Sequence, residues 1–355
     1  MKNLAHTRLR PAERLAPLAA ALALGLLAPR EQARAAELVR SEFQQVHMGV
    51  PIKLILYSAD GPTANKAADA AYARIAQIDQ IMSDYKADSE LSQLSRTAGS
   101  GRAVPLSDDL WTVLSQAQKL SEATGGAFDA TVGPYVRLWR RARRSREFPS
   151  AERLAEARQA VGFRRLRLDE KRRTAELLAA GMRLDLGGIA AGYAADEALK
   201  VIKGHGVERV LIDISGDILA GEPPPGRNAW RIGIAPTTPS GPPTRYVALR
   251  NAALTVSGDA FQHVAIEGRR YSHIVDPRTG IGLTDQSSVT VVAPACITAD
   301  SLATAVSVLG PEQGLKLIEQ TPGAAALVVR NLDGQLETHE SKRMQQFEIA
   351  PEAKP

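Results

Sequence analysis

One cysteine in 355 residues, Cys296, rules out an intramolecular disulfide and any zinc ribbon or c-type haem site. No Gly-Lys-Ser/Thr phosphate loop, His-Glu-x-x-His helix or G-x-S-x-G elbow is present, which removes three common routes to hydrolysis and phosphoryl transfer. Aromatic residues are scarce at 5%. After the N-terminal region no apolar run is long enough to span a bilayer, so the mature chain is expected not to cross a membrane. Acidic residues are nearly absent from the first 35 positions, where Lys2, Arg8, Arg10, Arg14, Arg30 and Arg34 face only Glu13 and Glu31. Most of the formal charge of +5 therefore belongs to that segment, and a nucleic-acid partner loses its main support.

The same segment has the layout of a secretory signal. A basic start precedes the apolar run Leu15 to Ala28, and Ala33-Arg34-Ala35 supplies small residues for cleavage before Ala36. Residues 1–35 are expected to be a signal peptide and 36–355 a single soluble, exported, periplasmic domain. No cysteine follows the apolar run, so lipid attachment there is excluded.

A hydrophobic fraction of 44% and a charged fraction of 23% suit an α/β chain with a sizeable core. Strand-like runs fill Glu37 to Ser58 around Met48-Gly49-Val50-Pro51. Ala71, Ile75, Ile78 and Met82 mark a helix face, and Ser107 a helix start. A short helix is expected over Ser150 to Val161. Arg183 to Leu186, Ile189 to Lys203 and Val210 to Ile214 read as strand, helix and strand, a βαβ-like unit. Glu267-Gly268 marks a hairpin turn, and Thr298 is placed to cap a helix over Ala299 to Leu309. A helix near Glu312 to Glu319 and two strands around Asp333-Gly334 complete the reading.

Three clusters can carry chemistry. Asp185-Leu186-Gly187-Gly188-Ile189-Ala190-Ala191-Gly192 joins paired glycines to a helix start, either an anion-binding turn or tight packing. Asp300 and Thr304, four apart on one helix, can offer a carboxylate and a hydroxyl to one hard cation, or can simply suit the helix dipole. Tyr271-Ser272-His273-Ile274-Val275-Asp276-Pro277-Arg278-Thr279-Gly280 ends a strand in a turn, with His273 either structural or a base. The basic run Arg140 to Arg146 reads as a solvated face that could steer an acidic acceptor. Cys296 reads as core.

In order, these clusters resemble the FAD:protein FMN transferase (ApbE) family from about Phe43 to Gly310. The resemblance is carried by Met48-Gly49, Met82-Ser83-Asp84-Tyr85, Gly126 to Pro134, Asp185 to Asp196, Ser215-Gly216-Asp217-Ile218, Thr255 to Asp259, Tyr271 to Gly280 and Ala299 to Ala305. It implies a mixed α/β fold related to tunnelling folds, with FAD as substrate in a cleft between two lobes. It implies Mg²⁺ on the Asp300 carboxylate, the Thr304 hydroxyl and a backbone carbonyl of the Gly188-Ile189-Ala190 turn, taken as that of Ala190. Gly187 and Gly188 would meet the phosphates, Met48 and Tyr85 the adenine, and Asp129, Asp217 and Asp259 the cofactor surroundings. His273 matches the histidine implicated in transfer. The implied reaction moves FMN from FAD to a Thr or Ser hydroxyl of an exported domain of a membrane redox complex and releases AMP. A Mg²⁺-dependent FAD pyrophosphatase and a non-catalytic flavin-binding protein are the alternatives. Ala191, Ser215 and Val50 depart from the family's usual lysine, glycine and threonine.

Overall fold

Alternation along the first hairpin shows how the core is divided. In the computed structural model, which describes residues 37–234, 243, 245–258, 262–332 and 335–349, strands β1 (Val39–His47) and β2 (Val50–Ser58) turn at Met48-Gly49, both with positive φ. Along β2, Ile52, Leu54 and Leu56 face one apolar layer, and Ile55 and Tyr57 face another. The expected signal peptide 1–35, Asp259 and the Asp333-Gly334 turn lie outside the described residues.

Helix α1 (Gly61–Met82) starts on an Asp60 cap and buries Ala71, Ile75, Ile78 and Met82. Helix α2 (Glu90–Ser95), strand β3 (Val104–Pro105) and helix α3 (Asp108–Ala123) follow, and Ser107 caps α3 by accepting from Leu110 N at 3.2 Å. Helices α4 (Gly133–Ser145) and α5 (Ala151–Gln159) lead to β4 (Leu166–Asp169) and β5 (Thr174–Leu177), with β5 paired between β3 and β4. Helix α6 (Ala190–Gly204) then precedes the hairpin of β6 (Arg209–Ile214) and β7 (Asp217–Ala220).

Strands β8 (Trp230–Ile234), β9 (Arg245–Leu249) and β10 (Ala252–Gly258) come next. Two small hairpins follow, β11 (His263–Ile266) with β12 (Arg269–Ser272), and β13 (Val275–Asp276) with β14 (Ile281–Gly282). The chain ends with β15 (Gln286–Ala293), α7 (Cys296–Gln320), β16 (Ala325–Leu332), β17 (Gln335–Glu340) and β18 (Glu348–Ile349).

Eight strands form the main sheet in the order β1-β2-β6-β7-β10-β15-β16-β17, and every neighbouring pair is antiparallel. Helices α1, α6 and α7 cover one face, and the three-stranded sheet β18-β9-β8 covers the other through Trp230, Ile232 and Val247. A third apolar cluster joins α4 to the β11–β12 hairpin through Tyr135, Trp139, Val264 and Tyr271.

Two expectations are corrected. Arg183 to Leu186 is no strand; it holds one isolated parallel bridge, Val132 to Arg183, and Asp185 N donates to Ala130 O at 2.8 Å. The alternation of Met182, Leu184 and Leu186 with polar residues is the same whether a segment pairs with a strand or lies against a loop. No βαβ unit exists there, because β6 lies between antiparallel neighbours. Second, Thr298 does not cap α7. The helix begins at Cys296, and the carboxylate of Asp196, reaching across from α6, accepts from Cys296 N at 2.8 Å and Ile297 N at 2.9 Å. The helices expected over Ala299 to Leu309 and near Glu312 to Glu319 are both present within α7, separated by the non-helical Gly310 (φ 75°) before Pro311.

Candidate active site

Two helix starts meet where glycine allows it. A β-carbon on Gly192 would collide with the Cys296 carbonyl, so only glycine lets α6 lie this close to the first turn of α7. The approach brings Gly192 N within 3.0 Å of Asp300 Oδ2, which accepts its hydrogen. In a regular helix that amide would bond to the carbonyl four residues back, Gly188. No backbone amide among the described residues donates to the Gly188 carbonyl. The Thr304 hydroxyl, one turn along α7 from Asp300, lies where a β-carbon on Gly188 would meet it at 2.7 Å. Ser257 Oγ of β10 stands 3.5 Å from the same hydroxyl.

This is an oxygen cluster short of positive charge. Burial pushes the Asp300 carboxyl up to about 7. Asp217, placed by the β6–β7 turn, is raised well above the carboxylate range by the protein packed around it and then by the charges of Asp300 and Asp213. No Lys or Arg among the described residues offsets them. Thr255 Oγ1 on the same strand as Ser257 is buried and has no hydrogen-bond partner among the described residues. No three His, Cys, Asp or Glu side chains converge among those residues, so the donor set is carboxylate, hydroxyl and carbonyl, the chemistry of a hard cation. Ala190 fits less well than expected. It is the first residue of α6, its carbonyl points along the helix, and Gly188 is the residue of the turn whose carbonyl lost its amide to Asp300.

The Gly187-Gly188 turn is anchored on its other side by charge. Asp185 Oδ1 accepts from Gly187 N at 2.9 Å, and Asp185 Oδ2 from Arg140 Nη2 at 3.0 Å. Arg140 also pairs with Asp84, and its guanidinium lies 4.2 Å above the Tyr85 ring. Burial and then Asp84 raise the Asp185 carboxyl, against the opposing pull of Arg140. The N-cap residue of α6, Ile189, makes no side-chain cap bond; the Asp300 carboxylate takes the Gly192 amide of the first turn instead.

The remaining predicted residues lie on other elements. Tyr85 is 77% exposed, and Met48 is half-buried in the β1–β2 turn. Asp129 is buried with its Oδ1 taking both Thr131 N and Thr131 Oγ1 at 2.7 Å; burial raises its carboxyl. His273 follows β12, and its Nδ1 faces the Gln262 carbonyl at 3.0 Å. A carbonyl only accepts, so Nδ1 carries the hydrogen and Nε2 the lone pair of the neutral ring. The turn after it is built by Asp276, which takes Arg278 N at 2.9 Å, and is pinned by Trp139 Nε1 donating to Gly280 O at 2.8 Å. Cys296 is fully buried, and burial pushes its thiol up.

Sequence reasoning passed over Asp84, Arg140, Asp185 and Asp196 as individual contributors. The first three stood inside or beside quoted motif blocks; Asp196 closed one of them but carried no local sign of capping a helix a hundred residues away.

The fold is that of a flavin transferase class. The structure matches the Pseudomonas stutzeri flavinyl transferase ApbE, apo form, with a TM-score of 0.77 and 32% identity, covering 87% of this chain and 96% of that one. It also matches the flavin transferase ApbE from Vibrio cholerae, at 0.78 and 28%, covering 87% and 99%. The FAD:protein FMN transferase of Haemophilus influenzae is 32% identical over 294 residues, 79% of this chain and 84% of its own. Residues 48–328 match the ApbE family, and the chain belongs to it.

Proposed function

We propose that this protein transfers FMN from FAD to a Thr or Ser hydroxyl of an acceptor protein and releases AMP, using Mg²⁺ held by Asp300, Thr304 and the Gly188 carbonyl. The observation that carries the reading is the diversion of the Gly192 amide to Asp300, which leaves the Gly188 carbonyl beside a buried carboxylate and a hydroxyl. Mg²⁺ bound there would neutralise diphosphate charge and ease departure of AMP.

The chain's own groups supply the rest. The Gly187-Gly188 turn ahead of α6 receives phosphate oxygens. His273 takes the acceptor proton on Nε2 as the acceptor oxygen bonds to the phosphorus on the riboflavin side and the bond to the AMP phosphate breaks. Tyr85 and Met48 offer apolar surface to the adenine, with Asp129 and Asp217 in the cofactor surroundings. Because residues 1–35 read as a secretory signal, the acceptor is an exported domain of a membrane redox complex, met in the periplasm.

Incubation with FAD, Mg²⁺ and such a domain tests the proposal, with in-gel flavin fluorescence and released AMP as readouts. A fluorescent acceptor is expected. AMP without label would make the protein an FAD pyrophosphatase, and neither product would end both enzymatic readings.

A further inference from the structure

Helix α4 presents two unlike faces. Tyr135, Trp139 and Ala142 are buried against the β11–β12 hairpin. Arg137, Arg141 and Arg144, at spacings of four and three, form a stripe that walls a cavity of about 1020 Å³. Arg153 of α5 and Arg183 face the same space. With Arg140, six arginines confront only two carboxylates, Asp84 and Glu156.

Arg140 engages Asp84 together with Asp185. No ion pair among the described residues reaches Arg137, Arg141, Arg144, Arg153 or Arg183, and all five are exposed. Arg183 is held below the usual arginine range by burial and then by the charge of Arg137, so the two guanidiniums repel across the cavity. Cations near the end of α4 suit its dipole, which accounts for Arg143 and Arg144 but not for Arg137, Arg153 or Arg183. Such a set weakens the fold unless something anionic enters it.

We infer that this arginine-lined cavity docks an acidic stretch of the acceptor polypeptide beside the site of FMN transfer. The inference rests on the transferase reading, since a protein acceptor must be held as well as modified. Arg137 to Arg144 spans about 10 Å of helix. An extended peptide sets alternate side chains about 7 Å apart, so two carboxylates on one side of it meet the stripe. Arginine's planar fork takes carboxylates in bidentate fashion. The cavity shares a wall with the site: Tyr85, offered to the adenine, and Arg140 both line it, and Arg140 pairs with Asp185, which holds the Gly187 amide.

The test compares the full chain with its Arg137→Glu/Arg141→Glu/Arg144→Glu variant. The probes are two fluorescent peptides alike around one threonine, with four flanking Asp in one and four Asn in the other, read by anisotropy at low ionic strength. The wild type is expected to bind the Asp peptide ~10-fold more tightly than the Asn peptide, and the variant to lose that preference. FAD affinity, read by flavin fluorescence, is expected to stay the same. A preference that survives charge reversal would overturn the inference, as would FAD affinity falling in step, which would make the cavity a flavin site. Equal competition by a single-stranded oligonucleotide or by phosphatidylserine vesicles would overturn it too, showing a general polyanion surface. Failure of the wild type to yield labelled acceptor or AMP would count against the transferase reading alone, because peptide binding is measured separately.

Discussion

Gly188 and Thr304 are in contact in a way that leaves no room for a side chain: a β-carbon on Gly188 would stand 2.7 Å from the Thr304 hydroxyl and 3.1 Å from its methyl group. Both come from parts of the chain that share no strand, and neither can shift far, since α6 and α7 are locked together at Gly192 and Cys296. Gly188→Ala is therefore expected to displace the hydroxyl and the neighbouring carbonyl. Displacements of this size cost on the order of 10²-fold in rate. AMP release should fall accordingly while the melting temperature moves little, and a rate equal to wild type would remove Gly188 from the site.

Asp300→Asn keeps a carbonyl oxygen for the Gly192 amide but removes the charge. Mg²⁺-dependent turnover is expected to disappear. The metal-free variant should be at least as stable as wild type, because Asp217 no longer faces a buried like charge. Retained Mg²⁺ dependence would move the metal elsewhere.

His273→Ala is expected to slow FMN transfer by roughly 10²–10⁴-fold, the range for loss of a general base. FAD affinity should be preserved, as the ring's Nδ1 bond is to its own hairpin at Gln262. Equal loss of binding and transfer would give His273 a structural role.

Arg74 ties three helices together, bonding to Asp109 at 2.8 Å and Glu197 at 2.7 Å, while Tyr193 donates to Asp109 at 2.6 Å. Arg74 beside Asp109 holds that carboxyl below the usual range. A carboxyl depressed in the folded state stabilises above its unfolded pKa of about 3.9, and that contribution disappears as pH falls through the lower folded value. Asp109→Asn should cost ~1–2 kcal/mol at pH 7, as the group is partly exposed, and the gap from wild type should close below about pH 4. Urea midpoints across pH 3 to 7 measure it, and a gap independent of pH would assign the cost to packing.

Much of this was legible in the chain. Alternation gave β2, β6 and β16, and the Ser107 cap and Glu267-Gly268 turn stand where local chemistry put them, because each depends only on near neighbours. The pairing of Asp300 with Thr304 on one helix face followed from spacing alone. What could not be read was anything set by distant parts of the chain: the capping of α7 by Asp196, the Arg140 link between Asp84 and Asp185, and the all-antiparallel neighbours of β6. The release of the Gly188 carbonyl could not be read for a related reason, since it depends on Gly192 finding a partner 108 residues away.

Ser215 carries a backbone cost in the turn between β6 and β7. It sits at φ 54° beside Gly216 at φ 105° in the turn that positions Asp217. L-residues are disfavoured there by roughly 1–2 kcal/mol, part of which glycine returns as unfolded-state entropy. Ser215→Gly should raise stability by about 0.5–1 kcal/mol with activity unchanged. A lower melting temperature would mean that the serine side chain does more than occupy the turn.

The bond from Gly192 to Asp300 joins residues 108 apart in the chain, and four strands of the main sheet, β6, β7, β10 and β15, lie between them in sequence. Closing so long a loop is slow, and its contacts are rewarded only once the intervening sheet exists. A partly synthesised or still-unfolded polypeptide therefore lacks this junction of α6 with α7, and FAD turnover is expected to switch on only with the last stage of folding.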